Sequence, residues 1–457
     1  MAKLGLVIGG VVVAGLAYLP IYEKNMINEE VQKVVTNLQN NGFSVEMTPC
    51  EGYLSSKRTF TIVVVDGAKA VNFVLDEAKS NLPKQNKLLL EKLQESLQNP
   101  AGQRDANKSF KDVTFTGNLH HSNIGTPSVD MEINLVDAPF MKTEKAKFAQ
   151  LFKDKKVGVK VHYENEQNFK VALKDFKFGD NTGKMNIQGL TFFGKKSGNT
   201  FADLDNFTFD YKTPYKSSKI EIIGLHTNGN YVNKFNNKVK VKIKTIAIEE
   251  STKYSAGTKM VLNGFEMSSY VKELSTISVG LKTNVANILV SNKSRNEQLL
   301  NVQNFHFNID IKHLAKKPFK ELVKLQEDMM QHPNATKPNE LQILIMKVIN
   351  NGLTMNAQSS LDSINVQRQF NLSHPLKIDA NFNINKNDAT RVDFIKKYID
   401  ANLKITLDAK NTNSPSPMIS QRMFDTYLKK GKKVGSNLVY DIKVEKGKAP
   451  TLNGKKI

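Results

Sequence analysis

The apolar positions of this chain follow three patterns in succession. The first is continuous: Leu4 to Tyr22 reads LGLVIGGVVVAGLAYLPIY, 19 residues without a charge. As a helix rising about 1.5 Å per residue it reaches about 28 Å, close to the hydrocarbon thickness of a bilayer. A membrane-spanning helix is therefore expected, carried by residues such as Leu4, Val7, Val11, Leu16 and Tyr22. Tyr18 and Tyr22 suit the headgroup region, and glycine is tolerated within such spans. The rival is a cleaved signal peptide, with Gly15-Leu16-Ala17 as a weak cleavage site. Lys3 precedes the run, and Glu23, Lys24, Glu29 and Glu30 follow it. Positive charge favours the cytoplasmic side, so the amino terminus is expected inside and the body outside.

The second pattern is helical. Val31, Val34, Val35 and Leu38 recur at helix spacing through 24–41, which ends at Gly42. Residues 59–65 (TFTIVVV) read as a strand, and 67–97 turn helical again until Pro100-Ala101-Gly102 breaks the period. From about 109 the third pattern, period two, takes over. Val129, Met131, Ile133 and Leu135 alternate with polar neighbours, as do Phe169, Val171 and Leu173. The same holds for Phe207 and Phe209, for Val239, Val241 and Ile243, for Ile277, Val279 and Leu281, and for Phe305, Phe307, Ile309 and Ile311. Ile378 to Ile384 and Leu403 to Leu407 repeat it near the end. Each such strand has one apolar and one polar face. Short helices are expected at 143–153, 312–330, 339–351, 391–401 and 417–430, and turns at Asn228-Gly229 and Asp180-Asn181.

The fold class that follows is α+β, mostly antiparallel β: an amino-terminal transmembrane helix, then one or more long twisted sheets with short interrupting helices. The expected division is an anchor at 1–23, membrane-proximal helices and first strands at 24–108, and an extended β-rich body at 109–457, with room for two sub-sheets. A sheet with one apolar face must hide it. It can stack, close into a barrel, pack helices, or line a groove for an apolar ligand, and the pattern alone does not choose.

Charge narrows the partners. The chain carries +21, with six Arg against 59 Lys. Arg provides the fork that reads phosphates and guanine edges, so this Lys-rich, Arg-poor balance argues against nucleic acid. Lys serves as a point charge toward anionic headgroups. The densest basic feature is Lys238, Lys240, Lys242 and Lys244, either an exposed strand face that discourages edge pairing or a headgroup contact. The single cysteine, Cys50, excludes an intramolecular disulfide and reads as a small, partly buried side chain.

No His-Glu-x-x-His, Cys-x-x-Cys or Gly-x-Ser-x-Gly appears, and no cofactor or metal is expected. His120-His121 is the one histidine cluster, but adjacent strand residues face opposite ways. Gly189 to Lys196 nearly matches a phosphate loop, but Lys196 stands where a hydroxyl must hold magnesium. Asp203 and Asp205 could approach a cation, and read more simply as solvated carboxylates.

Several features in order carry a resemblance: an amino-terminal apolar span, a helix, Gly52-Tyr53-Leu54-Ser55-Ser56 ahead of a strand, a strand ending at His120-His121, and a close on Gly431, Tyr440 and Gly447…Asn453-Gly454. The chain resembles the YdgA-like family, a bacterial family of unknown function. That resemblance implies an inner-membrane-anchored protein, single-pass, with its body in the periplasm. It implies no reaction and no site residues, and Ser122 and Asn123 depart from the family's His-Gly-Pro. Three functions remain: a non-enzymatic envelope protein whose sheet binds a lipid, an envelope polymer or another protein; an assembly factor acting by protein contacts; and an enzyme with a site formed by distant residues.

Overall fold

The computed structural model describes residues 26–49, 55–81, 91, 94–95, 97–122, 128–138, 154, 157–165, 168–179, 182–195, 198–293, 295, 297–331, 338–367, 370–389, 395–413 and 430–457. The span at 4–22, Cys50, the turn expected at Asp180-Asn181, the helix expected at 143–153 and all but the last residue of that expected at 417–430 lie outside these residues. The architecture is antiparallel β with five α-helices among the described residues, and it divides after Asp205 into two compact units.

The first unit opens with α1 (Met26–Asn40), β1 (Phe43–Met47), β2 (Ser55–Val64), α2 (Gly67–Asn81) and α3 (Pro100–Phe110). β3 (Thr114–Ser122), β4 (Val129–Asp137), β5 (Gly158–Asn165) and β6 (Asn168–Leu173) follow. β7 (Phe176–Gly179) and β8 (Gly183–Gln188) form a hairpin; β9 (Thr191–Lys195) and the start of β10 (Asn199–Lys212) complete the unit. β1 to β6 pair in sequence order, β9 joins β6, and β10 joins β9. Here the apolar faces are closed. Phe43, Phe60, Ile62, Phe115, Ile133 and Val161 pack with Leu38 of α1 and Val74 of α2, all buried. The expected break at Pro100 is instead a helix start. Asn99 caps it by accepting from Gly102 N at 2.7 Å, and Pro100 occupies the first turn, where its missing N–H costs nothing.

The second unit is dominated by five long strands: β11 (Lys216–Asn233), β12 (Asn236–Thr252), β13 (Ser255–Glu273), β14 (Ile277–Asn292) and β15 (Glu297–Leu314). They pair as an antiparallel meander. At 16 to 19 residues, each spans about 50–60 Å. α4 (Lys316–Gln331) and α5 (Pro338–Asn350) come next. β16 (Leu353–Leu361), β17 (Ser363–Val366), β18 (Phe370–Leu372), β19 (Leu376–Ile384), β20 (Ile399–Asp408), β21 (Lys432–Val434), β22 (Asn437–Val444), β23 (Thr451–Leu452) and β24 (Lys455–Lys456) follow. The sheet continues from β15 through β16, β19, β20 and β22.

Two expectations change here. Asn228-Gly229 is no turn; both residues lie inside β11, opposite Lys240 and Val239, and the chain reverses at Lys234-Phe235. Ladder pairing along 17 or more residues outweighs the local turn preference of Asn-Gly. The helix expected over 391–401 is a single 3-10 turn at Lys396–Tyr398 followed directly by β20, whose Ile399 pairs with Ile384; residues 391–394 lie outside those described.

The long strands also contain a feature that period-two counting misses. Apolar side chains sit at Ile220 and Ile222, then at Leu225; at Val241 and Ile243, then at Ile246 and Ile248; at Met260 and Leu262, then at Phe265 and Met267. The alternation slips by one in every strand. Ladder pairs are interrupted at Gly224–Lys244, Lys244–Gly264, Gly264–Ala286 and Ala286–Asn304, one transverse row across all five strands. On that row Gly224, Gly264 and Asn304 have φ of 64, 62 and 49. A left-handed residue breaks the in–out alternation of a strand. The slip in sequence and the break in backbone coincide, which keeps the apolar side chains on one face across the row.

Candidate apolar binding face

Register alone assembles the site. Ile222, Ile246, Leu262, Ile288 and Val302 are consecutive cross-strand neighbours on one side of the row. On the other side Val241, Met267, Thr283 and Phe307 are neighbours, and Val279, Ile311, Met355, Phe382, Ala401 and Val444 continue the face through β22. Apart from Ala247, Ile277, Val285 and Val302, which are buried, and Tyr231, Val232, Val239 and Ala286, which are exposed, the described apolar residues of the five strands between Ile220 and Ile309 are half-buried. Among the described residues, the elements most in contact with β11 to β15 are their sheet neighbours. At one end the face is closed: Ile277 and Leu314 are buried with Val348 of α5, and Phe319 and Leu322 of α4 pack there with Val271, Val279 and Ile311.

The contrast with the first unit decides the reading. There the same period-two strands give Ile133 at 1% exposure and Val161 at 1%. Here equivalent positions stay partly open along β11 to β15, whereas Ile384, Leu407 and Tyr440 further along the sheet are buried and Phe382 packs against a cluster with Met346 of α5; apolar area of this kind is rarely left uncovered by a soluble monomer.

The opposite face is polar. Lys242 reaches Glu266 at 2.7 Å, and that hydrogen bond, aided by Lys240 and Lys282, holds the Glu266 carboxyl below its ordinary range against a small burial cost. Glu249 accepts from Lys293 at 2.8 Å and Lys259 at 2.9 Å, which bring it down to about 2. The Tyr270 ring lies over Gly280, where an added Cβ would meet its Cε1 at 2.3 Å, and its hydroxyl donates to Asp310. Burial and that bond push the Tyr270 hydroxyl up to about 12.

Of the residues singled out from the sequence, Lys238, Lys240, Lys242 and Lys244 fall on β12. The first three share the polar face, opposite Tyr270, Ser268 and Glu266, and Lys244 sits on the transverse row. They are thus not on the rim of the apolar face. Leu4, Val7, Val11, Leu16 and Tyr22 lie outside the described residues. His121 is buried and His120 exposed. Thr191–Lys195, within the phosphate-loop near-match, is strand β9. Among the described residues no group of three or more His, Cys, Asp or Glu gathers to hold a metal ion, and no helix is long and apolar enough to cross a membrane. The face residues of β11 and β13 were not legible as strand signals, because each run is too short once the period slips. The spacing that betrays them is i, i+2, i+5, with a glycine between. No protein-family model, curated protein or solved structure matches this chain.

Proposed function

We propose that this is a non-enzymatic, membrane-associated protein of the bacterial cell envelope that holds the acyl chains of lipids against the open face of its long sheet. The carrying observation is that face: apolar side chains in register and half-buried along β11 to β15, in contrast to the closed face of the first unit. Burying acyl carbon releases about 0.8 kcal/mol per CH₂. An open face that covers about half of each group would gain about 6 kcal/mol from a 16-carbon chain, enough for reversible occupancy. The apolar run at 4–22 supports an inner-membrane anchor with the body in the periplasm, and the order of elements supports kinship with the YdgA-like family.

The test is the lipid content of the full-length protein, extracted from envelope membranes in mild detergent. Several phospholipids per chain are expected by mass spectrometry. Ile243→Asp with Phe265→Asp leaves the apolar run at 4–22 untouched and should remove most of them. A wild-type chain with no more lipid than this variant refutes the acyl-chain reading and favours an apolar protein segment as occupant.

A further inference from the structure

The two ends of the long strands differ. At one, α4 and α5 close the apolar face. At the other lie the turn residues 213–215 before β11, 253–254 between β12 and β13, and Lys293 and Arg295 between β14 and β15. Lys253 N donates to Tyr215 O at 2.9 Å, and Lys293 N to Gly257 O at 3.0 Å, tying the turns together. Tyr211, Tyr215 and Tyr254 are 41%, 64% and 85% exposed. Lys253 sits between two of them, its ammonium 5.8 Å from the Tyr215 ring centre and 5.9 Å from that of Tyr254.

Leaving three large aromatic rings in water is unfavourable. Tyrosine is amphipathic: its ring favours an apolar layer while its hydroxyl stays wet, which suits the headgroup region of a bilayer. The neighbouring charges have one sign. Lys212, Lys216, Lys253, Lys293 and Arg295 lie in or beside the turns and are exposed, and no acid lies among residues 211–216, 252–255 or 293–295. The nearest carboxylates sit back in the strands: Glu249 is engaged by Lys259 and Lys293, Glu250 lies 3.9 Å from Lys216, and Glu297 accepts from Gln367. Asp210 precedes the first turn on β10.

We propose that this end of the sheet docks on an anionic bilayer surface, with Tyr211, Tyr215 and Tyr254 entering the headgroup layer and the lysines meeting lipid phosphates. Resting on the acyl-chain reading above, it makes this end the place where lipid enters the face: Ile220, Ile248, Met260 and Val290 are its last apolar residues before the turns. A nucleic acid is a poorer fit, since the cluster offers one Arg and the rings are spaced by strands rather than along a groove.

The full chain, with Cys50→Ser and Ser255→Cys, is labelled with a polarity-sensitive dye and held in phosphatidylcholine nanodiscs. It is then titrated with phosphatidylglycerol-containing or pure phosphatidylcholine vesicles. Docking predicts a blue shift and protection from aqueous quencher with the anionic vesicles only. The response should weaken about fivefold for each lysine removed and fade with salt. Tyr215→Ser with Tyr254→Ser should abolish it without changing co-purified lipid. A dye at 255 that stays in water, or that responds no more than one at Asn233→Cys on the opposite end, overturns the proposal. The two readings fail separately: a lipid-loaded chain with a wet tip refutes docking alone, and a lipid-free chain with an inserting tip refutes the acyl-chain reading alone.

Discussion

Gly264 lies at the centre of the transverse row, and replacing it measures what the row does. Its φ is +62, a left-handed conformation that costs an L-residue about 1–2 kcal/mol. An added Cβ would stand 2.8 Å from the Ala286 Cβ, where ordinary contact begins near 3.4 Å. Both residues are on an exposed row, so the strands can yield somewhat, and the overpacking adds about 1 kcal/mol, the low end for such clashes. Gly264→Ala is therefore expected to destabilise the second unit by about 2–3 kcal/mol. Gly264→Asn should cost about 1 kcal/mol less, because asparagine tolerates this conformation. Ala286→Gly removes the clash but not the strain, so the double variant should recover about 1 kcal/mol. Urea unfolding followed by circular dichroism and tyrosine fluorescence reads this out, the chain having no Trp. If Gly264→Ala lies within 0.5 kcal/mol of wild type, or if Ala and Asn cost the same, the left-handed row is not what holds the five strands in this geometry.

Ile133, at 1% exposure, and Ile243, half-buried on the open face, test whether the two sheets are covered differently. Ile133→Ala should cost about 2–5 kcal/mol and Ile243→Ala about 1 kcal/mol, for it loses no packed layer; equal costs in urea unfolding would contradict an open face. Glu249 falls from 4.5 to about 2 through its two lysines, nominally about 3 kcal/mol. Its partners are about half exposed, which reduces that to about 1–2 kcal/mol. Because the folded state holds the proton more weakly, this stability is present above pH 4.5 and lost as pH falls toward 2. Glu249→Gln should thus be less stable than wild type at pH 7 and level with it at pH 2, and a gap that persists at pH 2 contradicts the ion pairs as its cause. Tyr270→Phe removes the hydroxyl that donates to Asp310 while keeping the ring over Gly280, and should cost about 1–2 kcal/mol. Gly280→Ala, which drives the ring off its seat, should cost no less, as thermal unfolding of the two variants will show.

Period-two strands were legible wherever one face is consistently apolar. Val129 to Leu135, Val239 to Ile243, Ile277 to Leu281 and Phe305 to Ile311 all lie on strands, because burial of one face imposes alternation whatever covers it. The same logic explains what stayed hidden. Alternation looks identical in a closed sandwich and on an open sheet, so the exposure of Ile243 or Phe265 has no trace in the sequence. Asn228-Gly229 has the chemistry of a turn, but pairing of β11 with β12 beyond it absorbs the pair into a strand. Pro100 reads as a breaker unless Asn99 is recognised as the cap that makes it a first residue. Gly224, Gly264 and Asn304 become one feature only when register lays them in a row. The Tyr-Lys turns were equally invisible, since residues 215 and 253, far apart in the chain, meet only through the meander.

The lysines of β12 pose the remaining question of what the polar face contributes. Lys238, Lys240 and Lys242 point away from the apolar side, so a lipid held by its acyl chains would have to reach around the sheet to place its phosphate on them. Their field acts on what lies beyond the polar face, and each adds about 1 kcal/mol of attraction to an anionic surface only when it approaches within a Debye length of about 8–10 Å. Glu266 already neutralises one of them through Lys242 at 2.7 Å. Changing all three to serine should therefore leave the phospholipid carried by the full-length chain unchanged. Because Glu266 would lose its partner, its carboxyl should return toward the ordinary range, a shift visible by carboxylate titration in carbon-detected NMR. Loss of bound lipid in that variant would mean that the headgroups do sit on the polar side, and that the cargo straddles an edge of the sheet rather than lying along its apolar face.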